Sequence, residues 1–182
     1  MRCRSRAPSP HPQPPAEYVP AVRYKMRQKV FSMADRFTIT NAVDEPVGYI
    51  DGKVLSFGDK LRFFDVRDRE VAYIEQKLLT WGPTYEIYRN GDLAAVVKKK
   101  LFKLSPTFTI DVPGPDDLTV EGDLWEHEYV FVRSGKTVAA VSKRWWTMAD
   151  TYGVDVLEDE DHVLILASTV VIDLVQADEE RR

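Results

Sequence analysis

H-V-L-I-L-A-S-T-V-V-I-D-L-V-Q, from His162 to Gln176, is the stretch whose reading decides the fold. Apolar residues fill Val163 to Ala167, Val170 to Ile172 and Leu174 to Val175, with only Ser168, Thr169 and Asp173 between them. Coiled as a helix, the segment shows apolar side chains on every face, and such a helix belongs inside a protein. It is too short and too polar to span a bilayer, which needs about 20 predominantly apolar residues. Glu158, Asp159, Glu160 and Asp161 stand just before it, where a helix N-terminus favours negative charge. Two buried strands are the competing reading, because short apolar runs rich in Val and Ile fit either form.

The remainder of the chain says what such a helix would lie in. At 182 residues, 44% hydrophobic and 30% charged, the composition is that of one globular domain with a substantial core. Residues 1–20 hold Pro8, Pro10, Pro12, Pro14, Pro15 and Pro20, too little apolar surface to offset the entropy of ordering. A disordered Pro/Arg-rich tail over 1–21 is therefore expected, followed by a single domain over 22–182. A second hypothesis makes the tail an upstream extension, with a natural start near Val22 or Met26; an N-terminus at Met1 in the native host would remove it.

The net charge is −4. Arg2, Arg4 and Arg6 against Glu17 put +2 on the tail and leave −6 on the body. Nucleic acid is not an expected partner of so acidic a body. Cys3 is the one cysteine, which rules out disulfides within the body and favours a reducing, cytoplasmic location. No secretory signal is legible in the first 21 residues.

From about Arg27, short β-type runs recur: R-F-T-I-T at Arg36, L-R-F-F-D-V at Leu61, T-Y-E-I-Y at Thr84, T-F-T-I-D-V at Thr107, E-Y-V-F-V at Glu128 and T-Y-G-V-D-V at Thr151. Their second positions, 37, 62, 85, 108, 129 and 152, are spaced by 25, 23, 23, 21 and 23 residues. Such a period marks a repeat. Each copy continues through a turn, as at Asn90-Gly91 and Ser134-Gly135, into a second strand such as V-G-Y-I at Val47 or V-A-A-V at Val138. The unit is a hairpin, and the copy containing L-T-V-E-G-D-L from Leu118 keeps only part of the pattern.

Five hairpins, a last single strand and an opening strand near Arg27 to Phe31 make about twelve strands. The expected fold is mainly β: a closed antiparallel barrel of about twelve strands around a buried C-terminal hydrophobic helix near 162–176. Closure removes the sheet edges. A barrel of this size is too wide for its own side chains to fill, and the stretch from His162 is the natural plug.

Y-K-M-R-Q-K-V-F-S from Tyr24, D-R-F-T-I from Asp35 and L-I-L-A-S-T-V-V-I-D from Leu164 resemble the LURP-one-related family, within the tubby C-terminal-like superfamily. The resemblance covers about Val22 to Gln176 and implies a hairpin barrel threaded by a C-terminal helix. It implies no defined activity. The superfamily includes phosphoinositide-binding tubby domains and phospholipid scramblases, and none of their functional residues aligns one by one here.

No catalytic constellation is legible, and no cofactor is expected. His11, His127 and His162 lack metal-ligand spacing. Asp150, Asp155 and Glu158 to Asp161 lack the ordered ligands of a calcium loop and read as a soluble loop before a helix. Asp173, within the apolar stretch, needs a partner or a neutral form if buried, and reads as structural. Lys98, Lys99, Lys100 and Lys103, interrupted by Leu101 and Phe102, are the best candidates for binding an anionic headgroup. Arg144, Trp145 and Trp146 end the equivalent strand of a later copy, and tryptophan suits a lipid–water boundary. Strand-end lysines also protect sheets from edge pairing, and the tryptophans also fit a barrel wall. The expected function is a non-catalytic binding or scaffold module whose barrel exterior contacts another macromolecule, with another protein or an anionic membrane surface as the expected partner. The alternative is peripheral binding of anionic phospholipid or phosphoinositide headgroups through these basic residues.

Overall fold

A computed structural model describes residues 21–31, 34–53, 58–100, 107–114, 116–143 and 151–181. Twelve strands precede one helix: β1 (Ala21–Phe31), β2 (Ala34–Asn41), β3 (Pro46–Lys53), β4 (Lys60–Asp65), β5 (Glu70–Gln76), β6 (Thr84–Arg89), β7 (Asp92–Lys100), β8 (Thr107–Asp111), β9 (Leu118–Asp123), β10 (Glu128–Arg133), β11 (Lys136–Ser142), β12 (Thr151–Leu157) and α1 (His162–Glu180). Each strand pairs antiparallel with its sequence neighbours. β1 closes the barrel against β12, with Ala21 opposite Leu157 and Arg27 opposite Thr151. The barrel thus begins at Ala21; the rest of the proline-rich tail lies outside the described residues.

The repeat works by alternation. Successive side chains of a strand point to opposite faces, so each copy sends alternate apolar residues inward: Phe37 and Ile39, Tyr85 and Ile87, Phe108 and Ile110, Tyr129 and Phe131, Tyr152 and Val154. One register differs from the spacing read above. In the second copy Leu61 and Phe63 are buried while Arg62 is exposed, so the inward position is 61. The first two intervals therefore equalise.

A bulge recurs at the same place in four hairpins, after Ile39, Phe63, Ile87 and Phe131. Such an extra residue bends a strand and increases its twist, which helps close the sheet. The β8–β9 hairpin shows no register shift, matching the degenerate fourth copy. Asn90-Gly91 has φ of 52° and 88°, the left-handed pair that a two-residue hairpin turn requires.

The helix fills the barrel. Every residue from Leu164 to Gln176 is buried, as a helix apolar on all sides must be. Asp161 caps it, its side chain accepting from the Leu164 N–H at 3.1 Å. Outside, cross-strand ion pairs such as Arg36–Asp51 and Lys60–Glu75 line the wall, the reverse of an outer-membrane barrel with its apolar exterior. Among the described residues, no helix is long and apolar enough to cross a membrane.

Candidate functional site

The strand order gives the barrel two unlike rims. Leu157 lies opposite Ala21 and leads into the helix, so β1 starts at the helix N-terminal rim and runs to the other. The connections β2–β3, β4–β5, β6–β7, β8–β9 and β10–β11 therefore sit at the helix N-terminal rim. The connections at 77–83 and 124–127 belong to the helix C-terminal rim, where β3, β7 and β11 also end.

The N-terminal rim absorbs the acidic loop. Arg89 binds Asp161 at 2.6 Å and Arg133 binds Glu160 at 3.0 Å. His162 Nε2 donates to the Leu157 carbonyl at 3.1 Å, leaving Nδ1 to accept from the Tyr24 hydroxyl at 2.7 Å. The carboxylates there are thus partners of arginine and of the helix cap. Among the described residues, no group of three or more His, Cys, Asp or Glu is placed to hold a metal ion.

The C-terminal rim is where apolar surface is left outside. Leu79 and Trp81, in the β5–β6 connection, are 105% and 94% exposed, and Leu78 and Trp125 are also exposed. The connection is nonetheless well tied. Lys77 N–H donates to the Thr84 carbonyl at 2.8 Å, Gly82 N–H to the Thr80 carbonyl at 3.0 Å, and the Thr80 hydroxyl to the Gly82 carbonyl at 2.9 Å. Leu79 holds a φ of 66°, rare for a bulky residue, and strain of this kind concentrates at functional positions. Between this connection and the helix residues Val175, Asp178 and Glu179 runs a groove of about 420 Å3.

Of the lysine run, Lys98 lies outward and binds Asp111 at 2.6 Å. Lys99 points inward and binds Glu179 of the helix, its side chain only 10% exposed. Lys100 is exposed at the strand end. The described part of the run is therefore divided between the two faces of β7, and two of its three described charges already have partners. Phe102, Lys103, Arg144, Trp145 and Trp146 lie outside the described residues. The helix extends past Gln176 to Glu180; carboxylates in a last helical turn oppose the dipole, and Lys99 offsets one of them.

Beside the same helix end, Asp173 and His127 meet inside the wall. Asp173, 7% exposed, has its Oδ1 2.6 Å from His127 Nε2, so the histidine supplies the partner that a buried carboxylate needs. The His127 ring lies 5.1 Å from that of Tyr152. Burial, and then the Asp173 charge, push the Tyr152 and Tyr129 hydroxyls well above the usual phenol range. Gly122, with φ of 129°, makes the turn carrying Trp125 and His127 possible: a Cβ there would come within 2.5 Å of the Glu128 carbonyl.

The exposed Leu78, Leu79 and Trp81 were not among the residues singled out by sequence reasoning, although an apolar run ending in Gly82-Pro83 breakers carried the signal. The pairing of His127 with Asp173 joins residues 46 positions apart and left no local pattern to find.

Together the sleeve and the plug define the class: a closed antiparallel barrel threaded by its own C-terminal helix. Residues 22–173 match the model of the LURP-one-related family, and the chain belongs to that family. It is similar to the X-ray structure of a protein from Arabidopsis thaliana, with a TM-score of 0.64 and 19% identity over 85% of this chain and 91% of that one. That likeness is one of fold. No curated protein matches the chain.

Proposed function

We propose that this protein is a non-catalytic binding module that settles on anionic membrane surfaces through the helix C-terminal rim. The observation that carries the reading is the outward presentation of Leu79 and Trp81 on a hydrogen-bonded connection. Large apolar side chains held in water on an ordered loop are ready to enter an interface, where each gains on the order of 1.5–3 kcal/mol if fully buried. Tryptophan is suited to the headgroup level of a bilayer. Lys100 ends β7 and Lys143 follows β11 at this same rim, both exposed, and a basic side chain near an anionic surface adds about 1 kcal/mol. Lys98 and Lys99 add less, since Asp111 and Glu179 hold them.

Co-sedimentation with phosphatidylcholine vesicles, with and without phosphatidylserine, tests the reading. The wild-type chain is expected to pellet with the phosphatidylserine vesicles. A chain carrying Leu78→Ser, Leu79→Ser and Trp81→Ser is expected to stay in solution, and Lys100→Glu with Lys143→Glu to pellet less. If wild type stays in solution, or the serine variant pellets equally, the membrane reading is wrong and the rim serves a protein partner or none.

A further inference from the structure

Between β5 and β6 the barrel wall parts. β5 pairs with β4 from Glu70 onward, yet its pairing with β6 begins only at Tyr73, opposite Tyr88, and runs to Gln76. Beyond Tyr88 the chain turns away through Asn90-Gly91 into β7. Where the two strands separate lies a hollow of about 530 Å3, lined by Arg62, Glu70, Tyr73, Glu75, Tyr88 and Asn90 with three further residues. Built binding sites occupy about 300–1,000 Å3. The hollow opens toward the helix N-terminal rim, where β5 begins and β6 ends.

Its chemistry suits an extended, proline-rich strand of polypeptide. The Tyr73 and Tyr88 rings lie side by side on the outer face, centroids 6.1 Å apart and tilted by 38°. Aromatic residues abreast form ridges between which proline rings dock. A polyproline II segment has no internal hydrogen bonds, so its carbonyls need donors from outside. The Tyr73 hydroxyl, the Asn90 amide and the Arg62 guanidinium supply donors at the edge of the hollow. Glu70 and Glu75 place a carboxylate toward each end. Their ion pairs, with Arg62 at 3.6 Å and Lys60 at 3.3 Å, lie at the surface and are worth about 0–1 kcal/mol. An incoming arginine displaces either at little cost.

The chain carries such a segment. Residues 8–15 read P-S-P-H-P-Q-P-P, and Arg2, Arg4 and Arg6 precede them. The tail is basic, +2 against −6 on the body, and joins the barrel at Ala21, on the rim where the hollow opens. β6 stands five strand spacings from β1, about 24 Å round the wall at 4.8 Å each. Pro15 and Pro8 lie six and thirteen residues before Ala21, about 19 and 40 Å in the polyproline II form, so the proline run brackets that distance. Tyr49 and Phe64, stacked at 5.1 Å on the outer face in between, continue the aromatic surface toward the tail's root. Tethering raises the local concentration of the tail to the order of millimolar, so weak contacts suffice. We propose that residues 8–15 dock in this hollow of their own barrel, with proline rings on Tyr73 and Tyr88 and the preceding arginines on Glu70 or Glu75. The proposal does not rest on the membrane reading, which concerns the opposite rim.

Cys3 is the one cysteine, so a nitroxide attached to it reports where the tail lies in the full chain. Amide signals of the 15N-labelled chain are compared before and after reduction of the nitroxide. The expected result is at least a twofold loss of intensity at Tyr73, Tyr88, Asn90 and Gly91, greater than at Arg23 and Asp155 beside the tail's root. Pro12→Ser, Pro14→Ser and Pro15→Ser together change the tail alone and are expected to reverse that order. Tyr73→Ser with Tyr88→Ser is expected to do the same from the side of the barrel. Loss that is greatest at the root of the wild-type tail, or that is unchanged at the hollow in the triple proline variant, overturns the proposal. Mixing 15N-labelled chain without nitroxide and unlabelled chain carrying it is expected to give no loss. Loss at the hollow in that mixture overturns docking within one chain and assigns the hollow to the tail of a second copy.

Discussion

At the helix N-terminal rim, Arg89 and Arg133 hold Asp161 and Glu160, Tyr24 bonds His162, and the strands turn back in short hairpins. At the opposite rim the β5–β6 connection runs from 77 to 83, Leu79 and Trp81 stand in water, and Asp173 and Gln176 carry unpartnered polar atoms. Both rims are cut from the same repeat, so the contrast isolates what is imposed on the fold from what the fold requires. Turns suffice to close hairpins. Exposed apolar surface and unsatisfied polar groups weaken a fold unless something else gains from them.

The contrast can be broken from the inside. Ending the chain after Leu157 removes the helix that both rims share, and leaves the inward faces of twelve strands open to water. No cooperative thermal transition is expected from that product; a monodisperse, cooperatively melting barrel would show that the helix is dispensable.

Alkaline titration acts more gradually. Burial raises the hydroxyls of Tyr85, Tyr129 and Tyr152 above their usual 10.0, and Tyr85 also donates to Asp59 at 2.7 Å. The unfolded chain releases these protons first, so their contribution is fully present below pH 10 and is lost as pH rises above it. The melting temperature is expected to fall from about pH 10 upward, with the tyrosinate absorbance of these three residues appearing together with unfolding. Absorbance that develops in full before the fold is lost would contradict their burial.

The sealed rim predicts a smaller change. Asp161→Ala deletes the helix cap and frees Arg89, at a cost of roughly 1 kcal/mol, measurable by urea denaturation. The open rim predicts the least: Leu79→Ser with Trp81→Ser should alter stability by no more than about 0.5 kcal/mol. A loss as large as that at Asp161 would mean that these side chains belong to the core.

The fold was legible because its physics is periodic. Alternation at Phe37, Tyr85 and Phe108 marks strands in a way that survives degenerate sequence, and an all-apolar stretch from Val163 has few places to go. The one register misread, at Arg62 against Leu61, arose where two overlapping residues fit the same template. The rim was legible only in part. Lysines 98 to 100 looked like one patch in sequence, yet alternation on a strand sends Lys99 to the helix and its neighbours outward. Asp173 announced that it needed a partner, but His127 meets it only because the helix threads the barrel past the β9–β10 turn, which no window of sequence contains.

The pairing of β1 with β12 also sets a timetable. A ribosome delivers Ala21 long before Leu157, and the helix that shields every inward side chain comes later still. Throughout synthesis the emerging strands can form hairpins but cannot hide their oily faces. The barrel can therefore close only once the helix has left the ribosome, and slowly for its size given such distant contacts.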